Sequence, residues 1–319
     1  MNEMQAALYD SYGPPEVLYV GRVPVPVPKP DEVLVRVRAA SVNGGDLHGR
    51  AGRVRLVTGR RFPQRTGLDF VGEVASVGAA ADGPREGEQV WGVLPRGQFG
   101  SAAEYVAVDA RRIAPAPAGV PAVQAAALPG TATTAITALR DKAQLRPGER
   151  LLVRGASGGV GSVAVQLGKA LGAHVTGLAG PKSLDFVREL GADEALSHTT
   201  TDAAALDSFD VVFDTVGTSH PAYRGLLAPG GRMVAIAFDT EHALSGLGYI
   251  LASAVHGRRR VRFFSGNPQR ELLAELARFV ETGTIRPVVD TVRPLAEIAD
   301  AHRALEAGGV RGKHVLEIP

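Results

Sequence analysis

The sequence has no cysteine among its 319 residues. That absence excludes disulfides, thiolate zinc sites, iron–sulfur clusters and a cysteine nucleophile. No run of 18 apolar residues occurs either, so no transmembrane helix is expected. The opening residues, Met1-Asn-Glu-Met-Gln-Ala-Ala-Leu-Tyr-Asp10, lack the basic start and apolar stretch of a secretory signal. A soluble, cytoplasmic protein is expected. A strong charge of one sign is also missing: 35 Lys and Arg face 33 Asp and Glu, a net charge of +2. This is too small to name nucleic acid or a membrane surface as a partner. What is present is ordinary globular material, 45% hydrophobic and 21% charged, with 39 Gly and 21 Pro that require many turns. A chain of this length has room for about two domains.

Up to about residue 120 the chain carries short period-two runs bounded by Gly and Pro, such as Val33–Val37, Val71–Val77, Gln89–Val93 and Glu104–Val108. These predict a mostly β domain. Pro24, Pro26, Pro28 and Pro30 read as an extended connector between strands, with a PxxP ligand as the other option. From about Val123 an Ala-rich, helix-prone stretch leads to the turn Leu145-Arg-Pro-Gly-Glu149. Strands then alternate with helices: Leu151–Arg154, His174–Leu178, Glu194–Ser197, Val211–Asp214, Arg232–Ala237 and Val261–Phe264. This alternation predicts an α/β doubly wound parallel sheet. A helix is expected over Arg270–Val280 and a last strand over Lys313–Ile318.

The sharpest motif is Leu151-Leu-Val-Arg-Gly-Ala156-Ser157-Gly158-Gly159-Val160-Gly161, a strand, a glycine turn and the start of an amphipathic helix. In that context Gly158 lets backbone approach a pyrophosphate, Gly161 permits close helix–strand packing, and the helix N-terminus offers N–H groups to a phosphate. The first glycine of the usual G-x-G-x-x-G pattern is Ala156 here. About 20 residues on, NAD-preferring sites carry an acid for the ribose 2′-OH. Here the stretch reads Gly177-Leu-Ala-Gly180-Pro-Lys182, with no acid before Asp185. Gly180 leaves room and Lys182 offers a cation for a 2′-phosphate, which favours NADPH; the other reading makes Lys182 a solvated turn residue. His198, after the third strand, either reaches the phosphate or is an ordinary surface histidine. Phe264 ends the last strand, whose carboxyl end faces the cofactor crevice in open α/β sheets. Core packing is the expectation for Phe263.

Several segments together resemble the zinc-free quinone oxidoreductase branch of the medium-chain dehydrogenase/reductase superfamily. They are Ala40–His48, Phe62–Val74, Thr131–Ala135, Gly155–Gly161, Leu190–Asp193, Phe213–Gly217, Leu227–Arg232 and Gly312–Val315. The resemblance implies a GroES-like catalytic domain over residues 1–120, a Rossmann domain over 121–266, a return to the catalytic domain over 267–319, and an active site in the cleft between them. It also implies a homodimer joined through edge strands such as Val261–Phe264. Zinc-dependent relatives carry Cys at Asn43 and Gly-His-Glu at Gly67-Leu68-Asp69, so those ligands are missing. No two of the eight histidines lie three to five residues apart, and no metal site is expected.

Without a Lewis acid, alcohol oxidation is disfavoured, and reduction of a quinone or an α,β-unsaturated carbonyl is the expected reaction. Such chemistry asks for a dry pocket and one or two donors for the acceptor oxygen. Asn43 and His48 are the candidate catalytic residues, and Thr131 is placed by resemblance near the nicotinamide. Other roles compete: Asn43 and Asp46 as caps, Thr131 at a helix N-terminus, His48 packed on the helix after Asp46 or hydrogen-bonded to a ribose hydroxyl. Arg53, Arg55, Arg60, Arg61 and Arg65 form a basic segment read as a solvated loop, with attraction of an anionic substrate group as the other option. Two further functional readings stay open: an enoyl reductase or tailoring enzyme acting on carrier-bound or polyketide-like substrates, and a nucleotide-binding regulatory protein with little catalysis.

Overall fold

The computed structural model describes residues 3–59, 61–238 and 243–319; Arg60 of the basic segment and His242 lie outside the described residues. Eight strands come from the first 115 residues: β1 (Glu3–Tyr9), β2 (Leu18–Pro24), β3 (Glu32–Ser41), β4 (Gln64–Arg65), β5 (Asp69–Val77), β6 (Gln89–Val93), β7 (Tyr105–Asp109) and β8 (Ile113–Pro115). Six follow: β9 (Arg150–Arg154), β10 (His174–Ala179), β11 (Glu194–Ser197), β12 (Phe209–Asp214), β13 (Leu227–Ala235) and β14 (Val261–Phe263). The last two are β15 (Val289–Pro294) and β16 (Lys313–Glu317).

The chain forms two units, one of residues 1–133 and 267–319, the other of residues 134–266. The sequence put the first division near 120; the structure moves it to 133/134, inside the helix Pro129–Ile136. In the first unit the predicted alternation is visible in β3, where Val33, Val35 and Val37 are wholly buried and Arg36 is exposed. One sheet runs β15-β16-β3-β5-β6-β8, with β7 also on β3; a smaller one runs β2-β1-β4. All pairings there are antiparallel except β15 with β16. The β16–β3 register sets Val315 opposite Ser41. Residues at the far end of the chain are thereby laid against the strand that leads into Asn43.

The second unit is a parallel sheet in the order β11-β10-β9-β12-β13-β14. Strands added outward on both sides of the first one are the doubly wound, Rossmann arrangement. All six expected strands are present. β13 starts at Leu227 and not at Arg232, because the Pro-Gly-Gly turn signal is absorbed as a register shift between Phe209 and Val211 on its neighbour. β14 stops one residue short of Phe264. Phe263 is not core: it is 36% exposed and packs edge-on against Phe238, with ring centroids 5.6 Å apart. Among the described residues no helix is long and apolar enough to cross a membrane.

The helix Ile298–Ala307 buries His302 completely in the first unit, with neither ring nitrogen hydrogen-bonded. Burial, then the nearby Arg50 guanidinium, pushes its imidazole down to about 3. The unfolded chain therefore binds this proton below about pH 6.5 and the folded chain does not, so stability is lost as pH falls from 6.5 towards 3. Between pH 6.5 and 5 the loss from this one group is about 2 kcal/mol. Other groups, Asp46 among them, also titrate in this range, so the loss is read as a difference: in urea unfolding at both pH values, the change between pH 6.5 and 5 is expected to be less favourable by that amount in the wild type than in His302→Met.

Candidate functional site

Asn43 follows β3 and caps the helix Gly44–Arg50. Its backbone N–H donates to Asp46 Oδ2 at 2.8 Å, and Gly67 N–H donates to Asp46 Oδ1 at 3.0 Å. Asp46 thus has the capping role set out as one option for it. Its carboxyl is pushed up to about 7, chiefly by burial and, among the nearby charges, by Asp69. Asp69, at the head of β5, is wholly buried. Its Oδ1 accepts from Ser41 N–H at 3.1 Å and Ser41 Oγ at 2.7 Å, and its Oδ2 accepts from Gly130 N–H at 3.2 Å. Lys313, first residue of β16, completes the group: Nζ donates to Val42 O at 2.5 Å and to Asn43 Oδ1 at 2.7 Å. Burial pushes its ammonium down, while Asp69 and Asp46 act in the opposite direction.

Sequence reasoning named Asn43 and missed Ser41, Asp69 and Lys313 as its partners. The usable signal was a lysine opening an otherwise apolar strand, Lys313-His-Val-Leu, since buried lysines require partners. His48 lies on the same helix as Asp46, but its Nδ1 is 3.5 Å from Arg53 Nη1. Burial and then Arg53 lower its pKa below 6.5, so at neutral pH it is the uncharged imidazole. Thr131 is buried and spends its hydroxyl on Ala127 O at 2.6 Å and Leu128 O at 3.2 Å, in the turn just before its helix Pro129–Ile136. Arg65 is not in a loop: it is half-buried in β4, opposite Leu8. Arg53, Arg55 and Arg61 are exposed.

In the second unit β9 passes through Gly155, Ala156, Ser157 and Gly158 into the helix Gly159–Ala170. A Cβ on Gly161 would lie 2.0 Å from Gly155 O, so only glycine lets helix and turn approach this closely. Gly158 differs, since a Cβ there would meet only Gly155 O at 3.5 Å and would otherwise fill open space. The first-turn amides of Gly159, Val160 and Gly161 have no intrahelical acceptors. These features fit a pyrophosphate. The departure from pattern at Ala156 is absorbed across the sheet, where its methyl stands 3.0 Å from the point a Cβ of Gly177 would occupy. An alanine at one position is matched by a glycine at the other.

Gly180, Lys182 and His198 gather where β10 and β11 end. His198 N–H donates to Ala179 O at 3.0 Å, and its Nε2 is 3.9 Å from where a Gly180 Cβ would stand. Lys182 is exposed in the turn that follows Gly180. Phe264, half-buried, donates its N–H to Ala235 O at 3.4 Å just past β14. A buried ion pair that sequence reading also missed braces the glycine turn from below. Arg154 Nη1 donates to Asp214 Oδ2 at 2.7 Å and to Thr218 O at 2.7 Å, with its guanidinium 3.6 Å from the centre of the Tyr223 ring. Burial alone would raise Asp214, but His220, Arg154 and the amides of Val216 and Gly217 outweigh it and lower its pKa. Among the described residues no group of three or more His, Cys, Asp or Glu is arranged to hold a metal ion.

Residues 29–118 match the family model of the alcohol dehydrogenase GroES-like domain, and residues 190–316 match that of the zinc-binding dehydrogenases. The chain is 33% identical to a 2-methylene-furan-3-one reductase of Solanum lycopersicum, over 99% of this chain and 79% of the relative. It is also 33% identical to an NADPH-dependent alkenal/one oxidoreductase, chloroplastic, of Arabidopsis thaliana, over 98% and 79% respectively. Among solved structures, the quinone oxidoreductase from Coxiella burnetii superposes with a TM-score of 0.92 at 29% identity, covering 99% of this chain and all of that one.

The close approach at Gly161 makes a sharp prediction. Gly161→Ala is expected to cost about 1–3 kcal/mol by overpacking and to weaken dinucleotide binding by about tenfold or more. Thermal unfolding and fluorescence titration with NADPH measure the two effects.

Proposed function

The chain belongs to the medium-chain dehydrogenase/reductase superfamily, in its zinc-free quinone oxidoreductase-like branch, and is an oxidoreductase that uses a nicotinamide cofactor; from that premise we propose that it is an NADPH-dependent, metal-independent reductase of quinones or α,β-unsaturated carbonyls. Its GroES-like unit supplies the polar groups for the acceptor, and its Rossmann unit supplies the cofactor cradle. When bound, the cofactor supplies a hydride to the electrophilic atom of the acceptor.

The observation that carries the reading is the state of Asn43 and Asp69, which stand where zinc-dependent relatives carry Cys and Glu, with Leu68 standing where they carry His. Asn43 Oδ1 already accepts from the Lys313 ammonium, and both oxygens of Asp69 already accept from Ser41 and Gly130. A second cation placed there would meet an ammonium and carboxylate oxygens that are already committed. Asn43 Nδ2 gives one hydrogen to Ser41 O at 3.2 Å, and its next contact, Ser41 Oγ, is only at 3.5 Å. The other hydrogen is the donor for negative charge developing on an acceptor oxygen. The glycine turn with the amides of Gly159, Val160 and Gly161 holds the pyrophosphate. Preference for NADPH rests on Gly180, Lys182 and His198 at the ends of β10 and β11, where no acid stands for the ribose.

An acceptor panel tests the reading. Quinones and enones are expected to turn over with NADPH, in chelator as well as without it, and loss of activity in chelator would overturn metal independence. Lys182→Ala is expected to weaken NADPH binding by about 1.5–3 kcal/mol and to leave NADH binding nearly unchanged. Equal wild-type affinities for the two cofactors would refute the preference.

His48 is assigned, through the protonated fraction that grows as pH falls towards its lowered pKa, to the proton that an enone product requires. Because its pKa is lowered by burial and Arg53, any limb it gives to the pH profile lies below pH 6.5. His48→Phe is expected to remove that limb and to slow enones by about 10²–10⁴-fold, while strongly electrophilic quinones are little affected. Equal loss with both acceptors, together with weaker NADPH binding, would make His48 a cofactor-positioning residue.

A further inference from the structure

Asn43 has an amide that can be turned either way, and the two orientations have opposite chemistry. With Oδ1 outward it would repel a developing oxyanion; with Nδ2 outward it stabilises one. An ammonium has three donors and no acceptor, so the amide atom 2.7 Å from Lys313 Nζ must be the oxygen. Ser41 O, which only accepts, receives Nδ2–H at 3.2 Å and fixes the same orientation from the other side. Lys313 is itself held by Val42 O and is 6% exposed, so it cannot swing away into water. The Asp69 carboxylate cannot take the place of the ammonium at Asn43 Oδ1, because an ionised carboxylate only accepts and its oxygens already accept from Ser41 and Gly130.

We propose that Lys313 is a positioning residue for the reaction: its buried ammonium locks the Asn43 amide with Nδ2 as the donor towards the acceptor oxygen. It also polarises the amide, since a hydrogen bond accepted at Oδ1 strengthens the one given at Nδ2. Lys313 does not touch the acceptor. This inference rests on the assignment of Asn43 as the oxyanion donor.

A double-mutant cycle on turnover of one enone tests it. Asn43→Ala is expected to lower kcat by about 10²–10³-fold, the cost of losing one oxyanion donor. Lys313→Met is expected to lower kcat at least tenfold with KM for the acceptor and Kd for NADPH changed less than threefold. In the Asn43→Ala background, Lys313→Met is expected to cost less than twofold more, because the amide it positions is gone. Multiplicative losses would overturn the proposal and leave the role of Asn43 standing. An undiminished kcat in Asn43→Ala would overturn both. If Lys313→Met does not fold, the same cycle is run with Lys313→Gln, which removes the charge and keeps a polar group for Val42 O; the same outcomes decide it.

Discussion

Burying Asp46, Asp69 and Lys313 in one place removes three ionisable groups from water, a cost of several kcal/mol per ion that only complete pairing offsets. The first unit is arranged around that requirement. Lys313 opens β16, Asp69 opens β5, Ser41 closes β3, and backbone amides of Gly67 and Gly130 come in from outside those strands. Each contributes a donor or an acceptor that another lacks. The antiparallel register between β3 and β16 is therefore specified twice, once by apolar alternation and once by the polar group at its end.

The same network bears on the metal-independent reaction proposed for a fold shared with zinc-binding dehydrogenases. A metal ion would bring positive charge to the residues after β3 and before β5; here an ammonium brings it, tied to the chain and satisfied by neutral oxygens. In that proposal Lewis acidity is given up. In the proposed reaction, the ammonium beside Asn43 Oδ1 takes the place of that Lewis acid as a fixed electropositive centre, matched to an acceptor whose charge develops on an oxygen remote from the attacked carbon.

Elements whose cause is local were legible in the sequence. The glycine turn, the helix Gly159–Ala170 and the parallel strands follow from patterns spanning a dozen residues each, and β11 has the bounds its apolar run suggested. Elements whose cause is distant were not. Asn43 could be singled out, but its dependence on a residue 270 positions away has no short-range signature. The pairing of β4 with β1 likewise turns a stretch that reads as a basic loop into a place where Arg65 is half-buried. The substitution at Ala156 was visible as a departure from pattern. Its compensation by Gly177, one strand over, emerges only in three dimensions.

The first unit is built from residues on both sides of the inserted second unit, and this bears on biosynthesis. Asn43, Asp46 and Asp69 leave the ribosome early, whereas Lys313 is made 270 residues after Asn43, roughly 15–50 s later at ordinary translation rates. During that interval the carboxylates lack their ammonium and β3 lacks its β16 neighbour. The nascent GroES-like unit must wait, partly hydrated, while the inserted Rossmann unit is complete enough to fold as a unit of its own. Synthesis of β16 is then the step that brings the ammonium to Asn43 and to the buried carboxylates beside it.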